Sequence, residues 1–187
     1  MTGPGSVQRR DSLRLFCALR LPDAVIDAVE SWQRSHLRGR VVTRGNLHVT
    51  LAFLGHRPSG ELPAVVDATC AAAAAARPIR LAPLRYRETR SVGMLALADD
   101  DAAATAVADD LHGRLEQLGV YQRERRPWLP HLTVVRFRER PRLEPPLPEL
   151  GPIAPSDAAV YLSRLRPTGA QYEVLESFAL GGRPERG

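Results

Sequence analysis

The apolar positions of the chain alternate in some segments and repeat at helical spacing in others. Alternation predicts strands, whereas apolar residues spaced three and four apart predict helices. The predicted strands cover residues 13–21, 47–54, 79–87, 92–98, 132–137, 160–166 and 172–180. The predicted helices cover residues 22–37, 61–77 and 99–118, and the proline-rich stretch 140–155 is expected to be irregular. Gly55 is expected to end the second strand.

The order strand, helix, strand occurs twice, in units that cover about residues 13–54 and 92–137. The last element of each unit carries the same pattern, His48-Val49-Thr50-Leu51 in the first and His131-Leu132-Thr133-Val134 in the second. Self-similarity of this kind indicates an internal duplication. We therefore expect one two-lobed domain rather than two independent ones.

The remaining segments complete this expected domain. Residues 158–180 are predicted to form a closing hairpin around Pro167-Thr168-Gly169. The ends of the chain, residues 1–11 and 181–187, are expected to be mobile.

Strand geometry predicts where the motif side chains point. Residues i and i+2 of a strand share a face, so His48 and Thr50 point one way while Val49, Leu51 and Phe53 point the other. His131 and Thr133 repeat the arrangement in the second unit. If a pseudo-twofold axis relates the units, two imidazoles and two hydroxyls meet across one cleft.

Two imidazoles and two hydroxyls suit displacement at phosphorus. The unperturbed histidine pKa of about 6.5 lets one ring accept a proton while the other donates one. Threonine hydroxyls can hold phosphate oxygens. A zinc site is the main alternative, but two histidines without a carboxylate fall short of the usual ligand number. A serine triad would need a G-x-S-x-G elbow, which the sequence lacks.

Composition narrows the chemistry further. The chain has 187 residues and a formal net charge of +5, and all 26 of its basic residues, histidines apart, are arginine. Without lysine there is no P-loop lysine, adenylated lysine or Schiff base. Either an anionic partner or the base composition of the genome accounts for the arginines. Cys17 and Cys70 form no C-x-x-C pair, so a disulfide framework or a cysteine zinc site is not expected.

The paired motifs resemble those of the two-histidine phosphoesterases. Asn46–Gly55 (NLHVTLAFLG) and Pro130–Arg136 (PHLTVVR) are most similar to the RNA 2′,3′-cyclic phosphodiesterase branch, historically called 2′-5′ RNA ligase. The resemblance extends over nearly the whole chain. It implies an α+β fold, bilobal and pseudo-twofold, with antiparallel sheets lining a central cleft and helices outside.

The resemblance also implies roles for the motif residues. His48 would be the proton donor to the departing 3′ oxygen and His131 the proton acceptor that activates water. Thr50, Thr133 and Arg136 would bind the phosphate. Strict alternation puts Arg136 on the opposite face from His131, so this role requires a bulge or a long reach. Otherwise Arg136 is a solvated charge at the strand end.

Residues around the second motif are candidates for contacts with the rest of the substrate. Trp128 either stacks on a base or is a buried structural residue. Arginines on both sides of the motif form either a basic rim or a solvated face: Arg123, Arg125, Arg126, Arg138, Arg140 and Arg142. The other three histidines, His36, His56 and His112, lack a paired threonine and are assigned no catalytic part.

The resulting hypothesis is metal-independent and cofactor-independent hydrolysis of RNA or nucleotide 2′,3′-cyclic phosphate ends to 2′-phosphates. One alternative is a non-catalytic module that binds RNA ends, and another is ATP-independent, reversible 2′-5′ RNA ligation. No secretion signal or membrane-spanning segment is seen, so a cytoplasmic protein is expected. It is expected to act as a monomer.

Overall fold

The computed structural model describes residues 11–182, which form three α-helices and an eight-stranded sheet. The strands are β1 (Ser12–Arg20), β2 (Arg40–Val41), β3 (Val49–Pro58), β4 (Ala82–Glu88), β5 (Val92–Ala98), β6 (His131–Arg136), β7 (Asp157–Arg166) and β8 (Gly169–Ala179). The helices are α1 (Asp23–His36), α2 (Leu62–Ala74) and α3 (Ala103–Gln117). The predicted α+β class is therefore confirmed. The ends that were expected to be mobile lie outside the described residues, except for Asp11, Gly181 and Gly182.

The sheet is antiparallel throughout and its strand order reflects the sequence repeat. The order is β4-β5-β6-β3-β1-β7-β8, and β2 pairs with the free part of β6. Strands β6 and β3 carry the two motifs and meet at the pair Val49–Leu132. Each is flanked on its outer side by the first strand of its own unit, β5 or β1. The halves are thus related by a local pseudo-twofold axis through Val49 and Leu132.

Helices α1 and α3 each contact the half of the sheet that belongs to the opposite unit. Gln33 on α1, in the first unit, donates from its side-chain amide to the carbonyls of Val42 and Val134 at 3.0 and 2.8 Å. His112 on α3, in the second unit, lies 2.8 Å from the carbonyl of Leu51 through Nε2. Both side chains are buried. Leu51 and Val134 are the fourth residues of the two motifs, so each motif strand is supported by a helix of the opposite unit.

Several predicted boundaries are wrong for local reasons. Strand β3 does not end at Gly55 but continues to Pro58, because Gly55 adopts a positive φ of 69° and still pairs with Leu15. His48 directly precedes β3 instead of lying within it. Strand β8 begins at Gly169, earlier than predicted. Strand β2 has two residues, which is too short to produce a periodic signal.

Candidate active site

Both motifs line one cavity of about 1240 Å³. His48, Thr50, His131 and Thr133 all contribute to its wall. The two imidazoles and the two hydroxyls therefore meet at one cavity, as predicted.

The strand register places the two histidines diagonally across the pseudo-twofold axis. Because Val49 pairs with Leu132, continuing the antiparallel register sets His48 opposite Thr133 and Thr50 opposite His131. Diagonal neighbours on one face of such a pair lie about 7–8 Å apart. A single phosphate group and its hydrogen bonds can bridge this separation between His48 and His131.

Both motif strands contain a β-bulge directly after the threonine. In β3, Thr50 pairs with Ala18 and Ala52 with Cys17, so Leu51 is the extra residue. In β6, Thr133 pairs with Met94 and Val135 with Gly93, so Val134 is the extra residue. Each bulge puts two successive residues into the core and reverses the alternation that follows it.

The bulges bring the fifth residue after each histidine into the cavity. Arg136 lines the cavity together with His131, which resolves the parity difficulty posed by strict alternation. Phe53, the equivalent residue of the first motif, also lines the cavity and is 48% exposed. The prediction that Phe53 points away from His48 is therefore wrong, because it assumed unbroken alternation.

Gly93 makes room for the second bulge. A Cβ at this position would lie 2.6 Å from Cγ1 of Val135 and closer still to the hydroxyl of Tyr86. Any larger residue would push against Val135, which is fully buried. The absence of a side chain at Gly93 thus helps to set the course of β6 that leads Arg136 into the cavity.

His48 lies in an aromatic surrounding that the sequence analysis did not find. Its ring centroid is 4.9 Å from that of Phe16, 5.7 Å from that of Tyr161 and 5.4 Å from that of Tyr172. Nε2 lies 3.1 Å from Oγ1 of Thr50. Phe16 is almost fully buried, yet it also forms cavity wall beside the imidazole.

This environment favours the neutral form of His48. Burial lowers the pKa of His48 to about 4, and the positive charges of His131 and Arg136 act in the same direction. The carbonyl of Asn46 opposes the shift in this pKa, but Nδ1 has no well-formed hydrogen bond in the described part of the chain. A bound anion would raise the pKa of His48 again, because its negative charge stabilises the imidazolium.

His131 is oriented by the backbone. Its Nδ1 lies 2.9 Å from the carbonyl oxygen of Leu129, and a carbonyl can only accept, so Nδ1 carries the proton. In the neutral ring, Nε2 is then the nitrogen with the free lone pair. This tautomer is the one that a proton acceptor needs if Nε2 is the atom facing substrate.

The arginines of the cavity are not those predicted for the rim. Among described residues the cavity is lined by Arg14, Arg40, Arg136, Arg164 and Arg166, with Glu173 as its one carboxylate. None of the six predicted rim arginines lines it. Arg123, Arg126 and Arg140 instead form ion pairs with acidic side chains elsewhere. Of the two alternatives left open for these arginines, the structure favours a solvated face over a rim of this cavity.

Trp128 does not line the cavity. Its indole N–H donates to the carbonyl of Thr50 at 3.0 Å, and its ring packs against the core. The geometry gives Trp128 a structural contact that supports the first motif. The aromatic residues that do face the cavity are Phe16, Phe53 and Tyr172.

Two further observations concern metals and membranes. Within residues 11–182, no group of three or more His, Cys, Asp or Glu side chains is arranged to hold a metal ion. No helix in this range combines the length and apolar character that crossing a membrane requires.

Comparison with known proteins places this site in a family. A sequence model of the 2′-5′ RNA ligase superfamily matches residues 21–166. The RNA 2′,3′-cyclic phosphodiesterase of Thermus thermophilus is 33% identical over 188 residues, which cover 93% of this chain and 93% of that protein.

Solved structures agree with the sequence comparison. Protein TT0787 of Thermus thermophilus has a TM-score of 0.77 and 30% identity, over 91% of this chain and 99% of that one. E. coli LigT in complex with 3′-AMP has a TM-score of 0.78 and 25% identity, over 92% of this chain and 100% of that one. Two His-x-Thr motifs facing one cavity across a duplicated sheet define the class of site. The chain belongs to the 2′-5′ RNA ligase superfamily, and the resemblance noted from the motifs is confirmed.

Proposed function

We propose that this protein hydrolyses 2′,3′-cyclic phosphate ends of RNA or nucleotides to 2′-phosphates, without a metal or other cofactor. The observation that carries the proposal is the pair of histidines placed diagonally across the pseudo-twofold axis in one cavity. The names of the relatives, RNA 2′,3′-cyclic phosphodiesterases, support the choice of substrate.

The proposed reaction is an in-line displacement at phosphorus. The water oxygen bonds to phosphorus as the bond from phosphorus to the 3′ oxygen breaks. His131 Nε2 accepts the proton that water loses, and His48 Nε2 donates a proton to the departing 3′ oxygen. Thr50, Thr133 and Arg136 hold the non-bridging oxygens and offset the charge that builds up there. The product retains its phosphate on the 2′ oxygen.

The test is incubation with a short RNA bearing a 2′,3′-cyclic end, with and without EDTA. We expect a 2′-phosphate in equal yield under both conditions. A 3′-phosphate would overturn the assignment of the leaving oxygen, and loss of turnover in EDTA would overturn metal independence. Adding an RNA with a 5′ hydroxyl tests for ligation, and salt-sensitive binding without any product would favour a non-catalytic module.

The pH dependence of ligand binding tests the proposed role of His48. An anion beside His48 stabilises its imidazolium, so binding should take up a proton. In the His131→Gln protein, where His48 is the remaining imidazole of the site, affinity for uridine 2′,3′-cyclic phosphate should rise as pH falls from about 7 to about 5. Calorimetry in two buffers of different ionisation enthalpy measures the proton uptake directly. The double variant His48→Gln/His131→Gln is the control, and uptake that persists there contradicts the role.

The same pKa makes a prediction for the free protein. An unfolded His48 takes up its proton near pH 6.5, whereas the folded one does so only near pH 4. The free energy of unfolding should therefore fall as pH decreases through this interval. Over this pH interval the free energy of unfolding should fall further in the wild type than in the His48→Gln variant, as measured by urea denaturation.

Phe53 is the proposed platform for the terminal base. It is an exposed aromatic ring that lines the cavity, and the guanidinium carbon of Arg14, another lining residue, lies 4.6 Å from its ring centroid. Stacking is worth about 1–3 kcal/mol per base, so Phe53→Leu should raise KM by roughly tenfold with little change in kcat. Leu84→Ala, which removes a 53% exposed apolar residue outside the cavity, should leave KM as it is.

We further propose that the units predicted at 13–54 and 92–137, with the hairpin at 158–180, act as a single catalytic domain. Each unit supplies one histidine to the cavity, and the hairpin supplies Tyr172 to its wall. A monomeric state and a cytoplasmic location stay predictions from the sequence.

A further inference from the structure

The cavity extends from the two motifs to the tip of the β7–β8 hairpin, where three further arginines line it. We call Arg40, Arg164 and Arg166 the distal arginine cluster. Arg164 forms an ion pair with Glu173. Within residues 11–182, neither Arg40 nor Arg166 has a carboxylate within ion-pair distance, so the cluster carries unneutralised positive charge.

The sheet places two of the cavity's arginines directly opposite each other. Arg40 on β2 pairs with Arg136 on β6, so their side chains leave the sheet on the same face. Like charges at such positions destabilise a sheet. The guanidinium of Arg40 extends towards the hairpin and donates to the carbonyl of Thr168 at 3.1 Å. This contact holds the guanidinium of Arg40 at the hairpin turn that follows Arg166.

Arg166, beside the turn that holds Arg40, lies beyond the reach of the phosphate held by the histidines. Tyr172, which contacts His48, pairs with Ser163 of β7. Arg166 is three residues further along β7, a displacement of about 10 Å at the usual rise of a strand. The space between can hold the ribose of a terminal nucleotide whose base stacks on Phe53.

We propose that the distal arginine cluster binds the phosphodiester on the 5′ side of the terminal nucleotide, so that the preferred substrate is an RNA chain. This inference rests on the proposed function, because it takes the cyclic phosphate to lie between His48 and His131. Guanidinium groups suit the site since each can bind two phosphate oxygens. The cluster thereby selects RNA ends over cyclic mononucleotides.

The test compares three substrates that share the reactive group: uridine 2′,3′-cyclic phosphate, its 5′-phosphorylated form, and a uridine trinucleotide with a cyclic end. The wild type should give the highest kcat/KM with the trinucleotide. In the variant Arg40→Gln/Arg166→Gln, the ratio of trinucleotide to mononucleotide kcat/KM should fall by about tenfold, since hydrogen bonds to charged groups are the stronger ones. The salt slope for trinucleotide binding should decrease by about 0.7 for each phosphate that the variant no longer neutralises.

The control variant is Arg85→Gln, which removes an exposed arginine of β4 outside the cavity. It should keep the wild-type ratio. An unchanged ratio in Arg40→Gln/Arg166→Gln would overturn the inference. If the 5′-phosphorylated mononucleotide reaches the same kcat/KM as the trinucleotide, the cluster binds the 5′-phosphate of a mononucleotide. The preference for an RNA chain is then overturned.

The two proposals fail in different ways. Hydrolysis of the cyclic mononucleotide by the wild type reports on the proposed function alone. If no substrate is hydrolysed, fluorescence anisotropy with labelled trinucleotide still tests the cluster: the double variant should bind it about tenfold more weakly than Arg85→Gln does. Equal binding by these two proteins would overturn the inference whatever the enzyme activity.

Discussion

Replacing either His48 or His131 with glutamine is expected to lower kcat for a 2′,3′-cyclic RNA end by about 10²–10⁴-fold, since each proton transfer contributes about that much. KM should change far less, because the threonines and Arg136 still bind the phosphate. The measurement is steady-state kinetics with chromatographic separation of substrate and 2′-phosphate product. Full turnover in both variants would eliminate the mechanism.

His56→Gln is the matched control for these variants. His56 is an exposed histidine on β3 itself and does not line the cavity. It should retain wild-type kcat. Circular dichroism of all three proteins, together with their melting temperatures, separates loss of chemistry from loss of folding.

A change of leaving group distinguishes the acid from the base. A nitrophenolate departs without protonation, so a nitrophenyl phosphodiester that the wild type hydrolyses does not need the proton donor. If His48 is the donor, His48→Gln should lose much less activity on that substrate than His131→Gln does. The reverse order would exchange the two roles. The Nδ1 contact of His131 with Leu129 supports His131 as the base.

The motif residues could be predicted because the duplication supplied the missing long-range information. A single His-x-Thr strand does not reveal what it faces, but two copies in equivalent units imply a shared axis. That reasoning brings the two His-Thr pairs together across one cleft. This result requires side chains to alternate between the two faces only over three residues, from each histidine to its threonine. The register through Val49 and Leu132 adds that His48 lies opposite Thr133 and Thr50 opposite His131.

Alternation fails where the chain departs from a regular strand. Sequence reasoning requires a bulge for Arg136, but nothing local to β6 shows one, because Val134 and Val135 are both ordinary core residues. Nothing local indicates the same bulge in β3 either, so alternation assigns Phe53 to the wrong face. The clue lies in the comparison of the motifs: a phenylalanine and an arginine occupy equivalent positions five residues after the histidines.

The distal arginine cluster could not be predicted from sequence. Its members come from β2 and β7, and β2 is too short to be recognised by periodicity. Arginines close to a motif in sequence, such as Arg123 and Arg126, are the natural candidates for its rim. In the fold these pair with Asp109 and Glu124 instead. Contacts in sheets depend on strand pairing, which the local composition around a motif does not encode.

Gln33→Leu is expected to lower the free energy of unfolding by about 1–3 kcal/mol, because an unsatisfied buried polar group costs about that much. The substitution keeps a similar volume, but it removes the side-chain donor to two carbonyls in a buried site, those of Val42 and Val134. Val134 keeps the backbone N–H of Val42 at 2.9 Å, so the carbonyl of Val42 bears most of the cost. Urea denaturation measures the change. Ser31→Ala, on the exposed face of α1, is the control and should leave stability nearly unchanged.

His112→Leu is the equivalent change in the other half and isolates the same physical effect. It removes the partner of the Leu51 carbonyl, at the bulge of β3, and should cost about 1–3 kcal/mol. His112→Gln should recover part of the loss, because its amide N–H can donate to the same carbonyl. If both leucine variants also lower kcat while KM for the cyclic end is unchanged, helices α1 and α3 position the catalytic strands. If stability falls while kcat is unchanged, Gln33 and His112 hold the halves together without tuning the site.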